Sequence, residues 1–505
     1  MQSLYGALIG VLTAGLLAGA PTPIVEAADA GPPDTRPTAR GFIDWKPCAS
    51  DTAAECGSLR VPVDWTRPTG EKFDLALARR KATDPDHRVG VLLVNPGGPG
   101  EQGVEFVRNK ATTHFSADIQ KRFDVIGFDP RGVGRSQPVR CSRGLLAQQP
   151  SVYPRNEAEF AELVSYNRAL RQDCRRHSGP VFDHADTLSV VRDMDAIRRA
   201  LGEKKINYFG HSYGTLIGQQ YAEQFGDRIR AMALTANMDH SLGARDFIVS
   251  SAATAEDSFH QFVQWCDRTR SCALHGRNVP VVWDALLAKA DRGEIRDPQS
   301  PHRGLTAHEI TQYAFRAFYG PDWERLASYV VSLDAQEPRA LRLPQPDARP
   351  GATEPTDPTP FHAVFCQDWR IRAKDYREYA KLTDAELRAA PHMRGSPRMH
   401  TAVAGCIGWP DEVNNPQHRL HITDAPTILM SHALHDPANN HAWATNAHRQ
   451  TRRTTVLLTY EGSGHSVYNR NTCTRRAVDD YLLELKVPPH GSRCAATVSE
   501  PTAGQ

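Results

Sequence analysis

An excess of either charge is missing from this chain. Its 60 Lys and Arg stand against 58 Asp and Glu, a formal net charge of +2 over 505 residues. That balance offers no basic face to nucleic acid and no acidic tail. Cys-x-x-Cys is absent, which argues against a zinc or redox site. No internal repeat is evident, which argues against a solenoid. The apolar stretch Leu4 to Ala20 is too short for a comfortable membrane span. No Lys or Arg precedes it and no Cys follows it closely, so a lipid anchor is not expected.

What is present agrees with export. Small-x-small sites follow the apolar stretch at Val25-Glu26-Ala27 and Ala28-Asp29-Ala30, so residues 1–30 read as a signal peptide with an uncharged start. An uncleaved anchor or a mis-set start is the alternative. Residues 28–41, rich in Pro, Ala and Thr, read as a flexible lead-in. The ten cysteines are even in number, as in proteins folded in oxidising compartments. Short loops close most easily, which pairs neighbours: Cys48–Cys56, Cys141–Cys174, Cys266–Cys272, Cys366–Cys406 and Cys473–Cys494.

The alternation of Val61, Val63, Phe73, Leu75 and Leu77 predicts an edge hairpin turned near Pro68-Thr69-Gly70. Val89–Val94, Phe123–Phe128, Lys205–Phe209 and Ile229–Leu234 read as buried strands. Helical patterns separate them, as in Thr187–Leu201. Strand and helix in alternation predict a parallel sheet with helices on both faces. The alternation stops near residue 241. Periodic stretches at Phe247–Trp265, Val279–Ala288 and Ile310–Val331 predict a helical lid, with a Pro-rich linker over Leu343–Pro360. Strands resume at Pro426–Met430 and Thr455–Thr459, and a last helix covers Thr474–Leu485. The expected organisation is core over 41–240, cap over 241–400 and core again over 401–505.

Gly210-His211-Ser212-Tyr213-Gly214 lies between a strand and an amphipathic helix. A serine on so sharp a turn is lifted above the sheet edge, where a substrate reaches its hydroxyl. It needs a base, and the base an orienting acid, in the chain order Ser, acid, His. Asp436 and His465, each just past a strand end, fit that order. Asp239 is the alternative acid. Asp129, in Asp-Pro-Arg-Gly, reads as a turn cap paired with Arg131. His211 reads as pointing away from the site. His432, His435 and His441 read as solvated loop residues rather than a metal site. The tetrahedral oxyanion needs N–H donors, assigned to Tyr213 and to the loop Gly97-Gly98. Neither a cofactor nor a metal is called for.

With these residues in hand, the chain resembles the secreted tripeptidyl aminopeptidases of actinomycetes and the related prolyl aminopeptidases, α/β-hydrolase peptidases. The likeness rests on Asn95-Pro96-Gly97-Gly98-Pro99-Gly100, Phe128-Asp129-Pro130-Arg131-Gly132-Val133-Gly134-Arg135-Ser136, Gly210-His211-Ser212-Tyr213-Gly214-Thr215, Cys366-Gln367-Asp368, Cys406-Ile407-Gly408-Trp409-Pro410 and Gly464-His465. It implies a helical cap, Ser212, Asp436 and His465 as the triad, and release of short peptides from free N-termini. Three stretches depart from the family's usual pattern: Glu101 after the Gly-Gly-Pro-Gly, Ala438-Asn439-Asn440 after Pro437, and Thr235 to His240 without Asp-Gly. An aminopeptidase needs an anion for the substrate's ammonium group. Asp368 is the first candidate, stiffened by a disulfide at Cys366, and Glu101 the second. The expected protein is a secreted serine hydrolase of peptides. An esterase of small esters and a catalytically silent binding protein are the alternatives. Neither nucleic acid nor stable membrane association is expected.

Overall fold

The computed structural model describes residues 43–49, 51–336, 356–410 and 412–497. The predicted signal peptide and lead-in up to residue 41, and the linker from 343 to 355, lie outside these residues. Among the described residues no helix is long and apolar enough to cross a membrane.

One ten-stranded sheet organises the fold. Its strands are β1 (Lys46–Cys48), β2 (Asp51–Pro62), β3 (Lys72–Arg80), β4 (Gly90–Asn95) and β5 (Phe123–Phe128), then β6 (Ile206–His211), β7 (Ile229–Thr235), β8 (Ile428–His435), β9 (Thr455–Ser463) and β10 (Arg493–Cys494). In space they run β1-β2-β3-β5-β4-β6-β7-β8-β9-β10. The first three pair antiparallel, as the alternating sequence predicts, and β3 joins β5 antiparallel. From β5 onward every pairing is parallel. The central strands are apolar on both faces because helices cover both: β4 is buried at every residue. Helix α1 (Glu157–Ser178) packs against the cap, whereas α2 (Thr187–Ala200) and α3 (Tyr213–Phe225) lie on this sheet. The sequence reading passed over α1. Charged residues are spread along its 22 residues, and Phe160, Leu163, Val164, Tyr166, Leu170 and Cys174 supply a narrow apolar stripe.

The cap comprises α4 (Ala244–Arg268), α5 (Val279–Asp291), α6 (Ala307–Tyr319), α7 (Trp323–Asp334), α8 (Pro360–Asp368), α9 (Tyr376–Ala389) and α10 (Pro397–Cys406). The single periodic stretch read over Ile310–Val331 is two helices, broken at Gly320-Pro321. Proline there has no N–H for the helix ladder and restricts the residue before it. The expected cap boundary at residue 400 falls inside α10. That helix is tied by the Cys366–Cys406 disulfide to α8, and both pack with Tyr213 and Leu216 of α3 in one apolar cluster. The cap is thus rooted on the helix that follows the serine. The remaining helices, α11 (His441–Gln450) and α12 (Thr472–Glu484), return to the sheet. All five neighbour disulfides are formed.

One buried ion pair differs from the expectation for Asp-Pro-Arg-Gly. Arg131 does not pair with Asp129; it makes a two-pronged contact with Asp193, at 2.7 Å from both Nε and Nη2, and both side chains are fully buried. Asp129 is instead spent on backbone, accepting from Val104 and Arg135 N–H. A buried guanidinium needs a planar partner in reach, and α2 supplies it.

Candidate active site

Ser212 sits between β6 and α3 with φ 55° and ψ −121°, a conformation that side chains rarely adopt. Its neighbours hold it there. The Ser212 N–H donates to Thr235 O at 3.0 Å, extending the β6–β7 ladder past the strand end. A side chain at Gly210 would stand 2.6 Å from Gly214 O, and one at Gly214 2.6 Å from Asn95 O. The two glycines are what let the turn close.

Asp436 follows β8 and is fully buried. Its Oδ1 accepts from the N–H groups of Ala438 and Asn439 at 2.8 and 3.0 Å. Both its oxygens face His465 Nδ1, at 2.9 and 3.0 Å. With the acid fixed by backbone donors, Nδ1 of His465 carries the proton and Nε2 is left as the acceptor. Asp239 does not compete: its oxygens are taken by Ser241, Asn446 and Gln450. Ser212 and His465 line one cavity of about 370 Å³. No hydrogen bond joins the Ser212 hydroxyl to His465 among the described contacts. Such bonds are often long before substrate arrives.

The imidazole of His465 is wedged between two rings. His211 and Tyr319 each meet it edge-on, with centroids 4.7 Å away. His211 therefore does not point away from the site, contrary to the expectation from the sharp turn. It lines the cavity, and burial, with the nearby His465, pushes its pKa well down. It is a neutral wall. His432 is not a solvated loop residue either. It is fully buried, its Nδ1 accepts from Asn237 N–H at 2.9 Å and its Nε2 meets Asn439 O at 2.8 Å. That tautomer braces the loop that carries Asp436. His435 pairs with Asp257 and His441 reaches Thr459. Among the described residues no group of His, Cys, Asp or Glu is placed to hold a metal.

The oxyanion assignment narrows. The Gly97 N–H is given to Asn95 Oδ1 at 2.9 Å. It is therefore not available to a substrate oxygen. The N–H groups of Gly98 and Tyr213 have no protein acceptor among the described residues, and both residues line the cavity. Gly97 contributes by what it lacks. With φ 93°, its missing side chain leaves the loop against the turn, 2.4 Å from His211 O and 2.9 Å from Tyr213 N to where a Cβ would stand.

Asp368 is a correction. Its carboxylate is fully buried and does not line the cavity. Four donors already occupy it: Thr187 N–H and Asn415 Nδ2 at 2.8 Å on Oδ1, Thr187 and Tyr213 hydroxyls at 2.6 Å on Oδ2. Nothing is left for an ammonium group. Its role is to anchor the Tyr213 ring beneath the site. Glu101 does line the cavity, exposed and without an ion pair, and is its sole carboxylate among the described residues.

Two residues escaped the sequence reading. Tyr319, the last residue of α6, accepts at its carbonyl from His465 N–H at 3.0 Å and Arg470 Nη2 at 2.7 Å. Arg470 also donates to Ser466 O at 2.6 Å. The cap thereby clamps the loop that carries His465. No local pattern marks either residue, because their partners lie about 150 positions apart in the chain.

The α/β hydrolase fold family matches residues 90–289, and the TAP-like protein family matches residues 392–494. The chain is 30% identical to serine protease Hip1 of Mycobacterium tuberculosis, over 90% of this chain and 91% of that protein. It is 31% identical to a carboxylesterase B of the same species, over 97% of each chain. With the tripeptidyl aminopeptidase of Streptomyces lividans it shares 29% identity, over 90% of this chain and 87% of that one. A strained serine, a buried acid holding a histidine, and likeness along nearly the whole chain lead to one conclusion: the protein is a serine hydrolase of the α/β-hydrolase family, with a TAP-like C-terminal region.

Proposed function

We propose that the protein is a secreted peptidase that releases short peptides from free N-termini through an acyl-enzyme on Ser212. His465 takes the serine proton and returns it to the leaving amine. Asp436 holds the ring in the required tautomer and stabilises the imidazolium. The N–H groups of Tyr213 and Gly98 receive the oxyanion. Glu101 receives the substrate's ammonium group, since Asp368 is committed elsewhere. Secretion is supported by the five disulfides, which persist only in oxidising compartments.

The observation that carries the reading is the Asp436–His465 pair opening onto the same roofed cavity as Ser212. The roof, Tyr319, Phe361, Arg398 and Met399, comes from the cap. A cleft so covered suits a chain end better than a long polypeptide. Fluorogenic tripeptides with free and blocked N-termini test the claim. Cleavage of the free form, lost in Ser212→Ala, is expected. Equal cleavage of both forms overturns the N-terminal preference.

The carboxylesterase relative supports a second reading, hydrolysis of small esters by the same serine. Turnover of acyl esters with none of any peptide amide would establish it. A fluorophosphonate probe that fails to label Ser212 would leave the silent binding protein.

A further inference from the structure

Arg398 stands at the neck of the cleft with nothing charged to hold. Its guanidinium is half-buried and lines the cavity of Ser212 and His465. No carboxylate of the described residues lies within ion-pair distance of it. Its contacts are two long ones to neutral oxygens: Tyr319 hydroxyl at 3.4 Å and Gly98 carbonyl at 3.4 Å. Both are at the weak end for hydrogen bonds. Below it lies the ring of Phe361, 5.7 Å from centroid to cation. A partly desolvated cation with five donors is costly unless it meets an acceptor of matching geometry. Other half-buried arginines of this protein have found one: Arg80 reaches Asp51 and Arg79 reaches Glu55. Arg398 has not.

Its position says where such an acceptor would be. Contact with Gly98 carbonyl places the guanidinium beside the oxyanion loop. On its other side a second cavity of about 370 Å³ opens, walled by Phe315, Arg316, Thr359, His362 and Ala402, and shares Arg398, Tyr319 and Phe361 with the first. A ligand reaching from Ser212 towards this outer, mostly apolar chamber passes the guanidinium.

We propose that Arg398 is a specificity residue for an anionic substrate: it binds a carboxylate of the molecule being hydrolysed, in a two-pronged contact beside the oxyanion loop. The proposal rests on Ser212 being the nucleophile, and it names the substrate class, molecules with a carboxylate close to the scissile bond. That carboxylate belongs either to the acyl part, as an acidic side chain, or to the leaving part, as a free C-terminus.

Two arms separate these sources. In the first, p-nitrophenyl hydrogen glutarate is compared with its neutral methyl ester. In the second, short peptides with a free C-terminal carboxylate are compared with their amides. The reading in each arm is the ratio of kcat/KM, charged over neutral. Wild type is expected to favour the charged member by about tenfold or more in one arm. In Arg398→Gln that ratio falls to near one, and in Arg398→Lys it is intermediate, because a point charge remains without the fork. Labelling by a fluorophosphonate confirms that each variant is folded. A wild-type ratio near one in both arms, or a ratio that survives Arg398→Gln, overturns the proposal. Absence of hydrolysis of all four substrates, charged and neutral, by wild type overturns the reading of Ser212 as the nucleophile for these esters and peptides, a result distinct from loss of charge preference.

Discussion

Replacing Gly97 by alanine tests whether the loop and the serine turn act as one body. The structure sets the size of the effect. Gly97 has φ 93°, and its added Cβ would stand 2.4 Å from His211 O, 2.9 Å from Tyr213 N and 3.0 Å from Ser212 Cβ. All are backbone or the nucleophile itself, so no flexible side-chain tip can swing away. Ordinary contact requires the loop and the turn to part by roughly 0.5–1 Å, and a misplacement near 1 Å at a reacting centre costs on the order of a hundredfold in rate. The left-handed backbone costs about 1–2 kcal/mol by itself. Gly202→Ala separates the two contributions, because Gly202 has φ 74° with nothing within 4 Å of its Cβ. Urea unfolding of both variants and the rate of fluorophosphonate labelling of Ser212 are the assays. Gly202→Ala is expected to lose about 1 kcal/mol with labelling unchanged. Gly97→Ala is expected to lose more than that and to label about a hundredfold more slowly. A Gly97→Ala protein that labels within about threefold of wild type would refute the tight seating of the loop, and with it Gly98 as an oxyanion donor.

Four further outcomes are expected. Asp436→Asn keeps the acceptor for Ala438 and Asn439 but turns an amide towards His465 Nδ1; with the wrong tautomer imposed, kcat falls by about 10³–10⁴ while substrate KM changes little. Asp193→Ala leaves the buried Arg131 unpaired and lowers unfolding stability by about 3–5 kcal/mol, much of it regained in Arg131→Met/Asp193→Leu. Burial, with Asp186 nearby, pushes the Asp368 carboxyl from 3.8 up to about 7. A pKa raised on folding means that its stabilising contribution is full below the unfolded value and is lost as pH rises through the folded one, so wild type should lose more urea resistance between about pH 4.5 and 8 than Asp368→Asn. Replacing Cys366 and Cys406 together by serine opens a link across 40 residues and lowers stability by about 4 kcal/mol, read from urea midpoints.

The strands of the core were legible because each is a short apolar run, most of them ended by glycine or proline, and a strand buried on both faces has little freedom to be anything else. Phe123–Phe128 is read to the residue. The cap was legible as helical but not in its breaks or its attachment. Gly320-Pro321 divides a periodicity that spacing alone carries across, and α1 escaped because a helix needs only a narrow apolar stripe to be held. Asp368 misled for a physical reason. A carboxylate beside a disulfide looks like a rigid ligand, whereas four converging donors made it a bracket for Tyr213.

Local chemistry was enough to choose the strained serine, because glycines two residues either side admit the turn and few other arrangements need them. It also singled out Asp436 and His465, which both follow strand ends of a parallel sheet and which folding brings into hydrogen-bond contact. Which donors remain unspent was decided only by folding. Asn95 takes the Gly97 N–H, Tyr319 takes the N–H of His465, and Arg398 is left without a carboxylate among the described residues. A hydrogen bond consumes its partner wherever in the chain that partner comes from. Availability is therefore a property of the assembled molecule, and no reading of neighbours along the sequence can supply it.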